Sequence, residues 1–370
     1  MRLTHETVTL RLAEPFRISR SVTTAREAVV VTVHDDGSRG SGEVVTSVRR
    51  ALDASTIRAA VDALDGRFGS VEDLVAGLPT LLAEGVPTGV VDALDAAALD
   101  HTGRRDGLPA HALLDAPAWS GTPTAATIGL VDAETALART DALVGRGFDL
   151  LKIKAGAPDP GDDLARVAAV RAAAPGARLL VDPNGGWAPA LAVELLEGLA
   201  GLLVEAVEQP TAPGRPADLG WVAERVPMPV IADEDAATVA DLDVLPPGLA
   251  VNVKLAECGG ARAARAMIAR AHAEGRDVML GCLAASSLGL APATALAGLA
   301  RWVDLDGHLL LADDPWTGLG GEDGRLVPGE PVGLGVRRAG QVGGRPGVSG
   351  GTRRTSSVSG GPRLTPGADR

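Results

Sequence analysis

Apolar and polar residues alternate along HETVTLRLA and again along EAVVVTVHDDG, and the Asp-Gly pair ending the second run leads into SGEVV. A period of two closed by Asp-Gly predicts strands joined as a hairpin. Three Ala- and Leu-rich stretches follow near 55–65, 71–85 and 89–102, with the apolar spacing of helices packed on a sheet. Residues 1–118 therefore read as an α+β domain. From about residue 120 the pattern changes to short apolar runs, each followed by an Ala-rich helical stretch. The runs end at Thr127, Lys154, Asp182, Glu208, Asp233, Lys254, Gly281 and Asp304, in steps of 21 to 28 residues. Eight strands with seven intervening helices predict a (β/α)7β barrel of the TIM type, an α/β fold, over 119–315. Residues 316–338 are expected to return to the first domain. The rival, an open doubly wound sheet, would carry a Gly-rich phosphate turn after an early strand, and none is present. Residues 339–370 hold five Arg and one acid, Asp369. They read as a flexible basic tail, either a disordered extension or an electrostatic tether.

Composition narrows the function. Of the 370 residues 46% are hydrophobic and 22% charged, which supports a large core. The formal net charge of −12 repels a phosphate backbone and argues against nucleic acid as a partner. No apolar run approaches the ~18 residues of a membrane helix. The N-terminal segment lacks an apolar signal core, so a cytoplasmic protein with no membrane partner is expected. The two cysteines, Cys258 and Cys282, read as buried spectators.

Lysine usage is the most informative feature. The chain has 35 Lys plus Arg, yet only Lys152, Lys154 and Lys254 are lysines. They fall in two short apolar segments, LKIKAG and VNVKLAECGG. Arginine keeps its proton in a protein and a buried lysine can lose it, so these three positions call for an amine. In a barrel, reactive groups project from the C-terminal ends of the strands. That places the three carboxylates of LLVDPN, AVEQP and IADED on consecutive strands, flanked by the lysines. Asp182, Glu208 and Asp233 offer oxygen donors suited to a hard divalent cation such as Mg²⁺. The six His show no paired spacing for zinc. Lys152 and Lys154, two apart on a strand, share a face. A neighbouring cation and a metal are expected to lower the lysine pKa toward a useful value. Lys254 faces them across the mouth, an arrangement for moving protons on both faces of a carbon next to a carboxylate.

These motifs, in this order, resemble the enolase superfamily, and within it the muconate-lactonizing subgroup. LKIKAG matches its KxK motif, VDPNGGW, VEQP and IADED its three ligand motifs, and NVKLAECGG its opposing-lysine motif. The resemblance spans roughly residues 1–335. It implies Lys154 and Lys254 as the two acid/bases, Lys152 as an electrostatic tuner, and Asp182, Glu208 and Asp233 as Mg²⁺ ligands. It also implies Asn184 as support for Asp182 and an enediolate as the intermediate. At the eighth strand, VDLDGHLLL places Asp304 and Asp306 two apart. The pair resembles the clamp by which dipeptide epimerases of the L-Ala-D/L-Glu type hold the peptide's ammonium; the alternative is a solvated turn. PFRISRSVTTAR resembles the family's mobile capping loop. Arg17, Arg20 and Arg26 make it basic, which suits an anionic side chain such as that of Ala-Glu, and Arg20 is the candidate substrate contact. Thr127 resembles an epimerase threonine that contacts the peptide; otherwise it is an ordinary strand residue.

The resemblance thus implies a Mg²⁺-dependent dipeptide epimerase, an isomerase whose members are often homo-oligomers. Still open are o-succinylbenzoate synthase, N-succinylamino acid racemase, cycloisomerase, a Schiff-base aldolase and a non-catalytic binding barrel. Two positions depart from the family pattern: Ala285 stands where a Glu usually precedes the serine of GCLAASSLG, and Glu257 where a second cation follows Lys254.

Overall fold

The computed structural model describes residues 1–19 and 21–340. Arg20, and the expected tail beyond Gly340, lie outside the described residues.

Strands β1 (Arg2–Ile18), β2 (Ser21–Asp35) and β3 (Ser38–Val45) form an antiparallel sheet. The segment resembling a capping loop continues the first hairpin. After a register break between Arg11 and Phe16, Phe16 pairs with Thr23, Arg17 with Val22 and Ile18 with Ser21. The β-branched run Val22, Thr23, Thr24 suits this extended path. Helices α1 (Ala54–Leu64), α2 (Val71–Ala83) and α3 (Thr88–Asp106) cover the sheet. Asp53 and Ser70 start the first two by accepting hydrogen bonds from the Thr56 and Asp73 amides. Helix α3 is buried on almost every side, and its closeness to β3 depends on two glycines. A Cβ on Gly40 would stand 2.2 Å from the Ala97 carbonyl oxygen, and one on Gly42 2.1 Å from that of Ala93.

A short helix α4 (Ala110–Leu113) and strand β4 (Thr122–Pro123) lead into eight parallel strands. These are β5 (Ala126–Ile128), β6 (Leu150–Lys154), β7 (Arg178–Asp182), β8 (Val204–Glu208), β9 (Val230–Ala232), β10 (Ala250–Val253), β11 (Val278–Leu280) and β12 (Trp302–Val303). The order is sequential, and the Ala125 amide closes the ring by donating to the Val303 carbonyl at 2.8 Å. The intervening helices are α5 (Ala133–Arg146), α6 (Pro160–Ala173), α7 (Pro189–Ala200), α8 (Pro216–Ala223), α9 (Leu255–Cys258) with α10 (Ala261–Ala273), and α11 (Ser287–Thr294). The fifth connection departs from the expected pattern. It holds only a 3-10 turn over Val239–Asp243, opened by a reciprocal Thr238–Asp241 cap. This is the shortest step, and Pro246-Pro247-Gly248 ends any helix there.

The barrel interior follows from the period of two. Ala125, Leu150, Leu180, Ala206, Ile231, Ala250, Met279 and Trp302, one residue from each strand or its start, form a closed apolar cluster. Two residues further along each strand the inward positions are Thr127, Lys152, Asp182, Glu208, Asp233, Asn252, Gly281 and Asp304. An apolar floor therefore lies directly beneath a polar layer.

The N-terminal sheet is tied to the barrel by Glu43. Its buried carboxylate accepts the Ser286 amide at 2.8 Å and also the Ser286 hydroxyl. Burial raises Glu43 from an ordinary 4.5 to about 7, against the pull of the two Ser286 hydrogen bonds. The folded protein therefore holds a proton here that the unfolded chain has released. Stability from this group is unaffected below about pH 4.5, falls as pH rises to about 7 and is level beyond. The difference is on the order of 3 kcal/mol. Glu43→Gln, which imitates the protonated form, should gain on the wild type across that window. Melting curves of both proteins from pH 4.5 to 8 check it, and parallel curves would contradict it.

Candidate active site at the barrel mouth

The polar layer and the strand ends above it open into a cavity of about 680 Å³. Its walls include Lys152, Lys154, Lys254, Asp233, Asn184, Thr127, Asp304 and Asp306 from the barrel, and residues 21–26 and 46–49 from the N-terminal sheet.

Lys152 stands at the centre, 2% exposed. Its Nζ lies 2.5 Å from Glu208 Oε2, 2.8 Å from Asp304 Oδ2 and 3.1 Å from Asp182 Oδ2. Lys154 Nζ donates to Asp182 Oδ2 at 2.5 Å. On the other side Lys254 Nζ donates to Asp233 Oδ2 at 2.6 Å and lies 3.8 Å from Glu208 Oε1. For Lys152 the surrounding carboxylates act against the expected lowering. Burial alone would push Lys152 down, but Asp304, Glu208 and Asp182 outweigh it and hold it well above the ordinary lysine value. Lys254 is raised likewise, with Asp233 and Glu208 overcoming its burial. Glu208 pays for the crowding: burial first, then Asp182, lift it to about 7.

Uncharged side chains brace two of the carboxylates and the backbone of the third. Asn184, in the left-handed region at φ 51°, donates its amide to Asp182 Oδ1 at 2.9 Å and its side chain to Oδ2 at 3.2 Å. Asn252 Nδ2 donates to Glu208 Oε1 at 2.7 Å. Gln209 Oε1 accepts the Asp233 amide at 2.9 Å, while its Nε2 donates to Asp235 Oδ2 at 2.8 Å. Behind Lys154, Asp163 accepts the Gly156 amide and Trp187 Nε1, and Arg166 donates to the Lys154 carbonyl.

Sequence reasoning missed Asn252, Gln209, Asp163 and Arg166. The first two carried a signal, as uncharged polar residues in apolar strand ends beside a named motif. The last two act across turns that spacing does not reveal.

Asp304 and Asp306 are 4% and 5% exposed, which overturns the solvated-turn reading. Asp306 Oδ2 accepts the Thr127 amide at 2.7 Å, so Thr127 is tied to the last strand through its backbone. Asp304 Oδ1 is buried without a hydrogen-bond partner. Burial, with Asp304 adding to it, lifts Asp306 to about 6.

The two departures from the family pattern have local explanations. Glu257 is buried and takes Arg49 Nη2 at 2.7 Å and Arg50 Nε at 2.5 Å, which ties the loop after β3 beside Lys254. Ala285 is buried, and next to it Ser286 binds the Glu43 carboxylate. Cys258 is buried against backbone carbonyls, whereas Cys282 lines the cavity.

Three carboxylates from adjacent strands match the donor set of a hard divalent cation, and Glu208 Oε2 is buried with no directed hydrogen bond. Among the described residues no three His, Cys, Asp or Glu side chains converge as a finished metal cage. The lysine ammoniums hold the oxygens instead, so a cation would have to take their place.

A barrel that sets three carboxylates between opposed lysines is a site for proton transfer at a carbon acid. The chain belongs to the Enolase C-terminal domain-like family, whose model matches residues 135–339. It is 32% identical to a hydrophobic dipeptide epimerase of Roseobacter litoralis over 342 residues, covering 90% of this chain and 98% of that protein. Among solved structures it is similar to an enolase family member from Agrobacterium tumefaciens with homology to dipeptide epimerases, bound to sodium and L-Ala-L-Glu. The TM-score is 0.80 at 34% identity, covering 89% of this chain and 98% of the other. It is also similar to a dipeptide epimerase from Methylococcus capsulatus complexed with Mg and L-Arg-D-Lys. Here the TM-score is 0.83 at 29% identity, covering 91% and 99%.

Gly281 is needed beside Asn252. A Cβ there would stand 2.4 Å from Asn252 Oδ1 and 2.7 Å from Nδ2. Gly281→Ala should push that amide off Glu208 and cost about 1–3 kcal/mol. A denaturant melt with unchanged midpoint would show that the amide has room to move.

Proposed function

We propose that this protein is a Mg²⁺-dependent dipeptide epimerase, an isomerase that inverts the α-carbon of a dipeptide's C-terminal residue. The observation that carries the reading is the pairing of opposed Lys154 and Lys254 with the buried Asp304–Asp306 pair on one cavity. The first two can reach both faces of an α-carbon. The last two hold negative charge, and one oxygen without a hydrogen bond, ready for an ammonium group. Succinylated and lactone-forming substrates have no ammonium to offer, so the related racemase, synthase and cycloisomerase activities fit this wall less well. Relatives named as dipeptide epimerases support the same choice.

In this reading Asp182, Glu208 and Asp233 hold the Mg²⁺, which when bound supplies positive charge for the substrate carboxylate as its α-proton leaves. With the carboxylates so engaged, Lys254 would lose the partners that raise it and become better able to exchange protons. Lys154 takes the α-proton from one face, and Lys254 delivers one to the other. Lys152 stays charged at the centre and keeps Asp182, Glu208 and Asp304 in place. Asn184 orients Asp182. Thr127 borders the peptide, and Arg20, outside the described residues, is kept as a candidate contact. The α+β division at 1–118, the barrel at 119–315 and the return at 316–338 form part of the same proposal, as does a cytoplasmic location. Among the described residues no helix is long and apolar enough to cross a membrane.

Incubation with Mg²⁺ and a library of L,L-dipeptides in D₂O tests the activity. The expected result is a one-unit mass gain with inversion at the C-terminal residue, abolished by EDTA and restored by Mg²⁺. Lys154→Ala and Lys254→Ala should each lower epimerisation by at least about 10²-fold. Each should still exchange the α-proton of the one diastereomer that faces the remaining lysine. Full turnover in either variant would remove that lysine from the mechanism.

The Asp304–Asp306 clamp makes a pH prediction. With Asp306 at about 6, protonation below that pH withdraws a negative charge from the ammonium site. KM for dipeptides should rise as pH falls from 7 to 5, with a smaller change in Asp306→Asn. Equal KM profiles in the two proteins would count against the clamp.

A further inference from the structure

The cavity holds five cationic side chains among its described walls, and four of them are matched. Lys152, Lys154, Lys254 and Arg49 each have a carboxylate within ion-pair distance. Arg26 does not. It lies on β2 opposite Leu10, half-buried in the cavity wall, and its Nη1 donates to the Thr46 carbonyl at 3.2 Å. Among the described residues no carboxylate stands within ion-pair distance of it. Burial pushes its guanidinium down from the ordinary arginine value, in line with the missing ion pair. An arginine keeps its proton regardless, so the cost remains until an anion arrives.

Its place in the cavity says which anion. Arg49 lies on the Lys254 side, beside Glu257 and near Asp233. Arg26 reaches the cavity from β2. Its pairing partner Leu10 lies two residues before Leu12, which bridges Leu311 just beyond Asp306, and Cys282 on the same cavity wall stands beside Gly307. If Asp304 and Asp306 hold the peptide's ammonium, the side chain of the N-terminal residue is the part of the substrate that reaches Cys282 and Arg26. We propose that Arg26 forms a carboxylate-binding subsite for the N-terminal side chain, so that dipeptides beginning with Asp or Glu are preferred. This rests on the dipeptide reading above. A substrate such as L-Glu-L-Ala would then meet an opposite charge at each of its own: the ammonium at the aspartates, the α-carboxylate at the metal site and the side-chain carboxylate at Arg26.

The test compares pairs that differ only in charge. L-Glu-L-Ala is set against L-Gln-L-Ala, and L-Ala-L-Glu against L-Ala-L-Gln, in the wild type, Arg26→Gln and Arg26→Lys. The wild type should favour Glu-Ala over Gln-Ala in kcat/KM by about tenfold or more, the worth of a charge-assisted hydrogen bond. In Arg26→Gln that ratio should fall to about one, and Arg26→Lys should keep part of it. The Ala-Glu to Ala-Gln ratio should be the same in all three proteins. A Glu-Ala preference indifferent to position 26, or a collapse confined to the Ala-Glu pair, overturns the proposal. Should no dipeptide be turned over, the epimerase reading fails by itself. Calorimetric Kd ratios for the same four compounds then decide the subsite: a Glu-Ala to Gln-Ala ratio that does not depend on Arg26 overturns it.

Discussion

The ammonium of Lys152 is the interaction on which the rest of the site depends. Asp182, Glu208 and Asp304 enter one buried layer from three strands, and like charges that close in a poorly polarisable interior cannot all stay ionised unaided. A single cation within 3.1 Å of all three makes the layer possible. Its neighbours Lys154 and Lys254 are then left at the rim, each on one flanking carboxylate. Truncating Lys152 would leave uncompensated buried charge, a far larger disturbance than losing a surface ion pair. The residue is therefore structural and electrostatic at once, and the two roles cannot be separated by mutation at that position.

The remaining order follows from strand geometry. Because inward positions recur every second residue, one step separates the apolar floor from the charged layer, and another reaches the lysines at the rim. The apolar floor, with Trp302 fully buried in it, carries no charge and makes no demand on the chemistry above. Polar groups of the layer above meet across strands: Glu208 accepts from Asn252 two strands away, and Gln209 accepts the Asp233 backbone amide from the next strand. Such pairs are set by register, and register in a parallel barrel is set by the same apolar alternation that builds the floor.

That dependence explains what could be read in advance. The barrel, its strand ends and the clustering of three lysines with five carboxylates were legible, because period and spacing put them there. The near-absence of lysine elsewhere made the cluster stand out. The 3-10 turn in the fifth connection was less visible, although the short step and the Pro-Pro-Gly signalled it. Contacts between the N-terminal sheet and the barrel were not legible at all. Glu43 meets Ser286 and Arg50 meets Glu257 across more than two hundred residues, and no local pattern encodes such partners. The same gap hid what surrounds Lys152, whose charge is held by carboxylates from other strands.

The closed floor has a consequence for how hydrogen moves. With Trp302 and its seven neighbours closing the floor, the lysines meet substrate, product and water at the mouth. A hydrogen lifted onto a lysine at the rim shares that ammonium with two others while the dipeptide occupies the mouth. Isotope taken from one molecule is thus retained over the lifetime of the bound complex, and it exchanges with the medium only when the occupant departs. The architecture gives the enzyme a short memory of its last substrate, whose length is the residence time of the product.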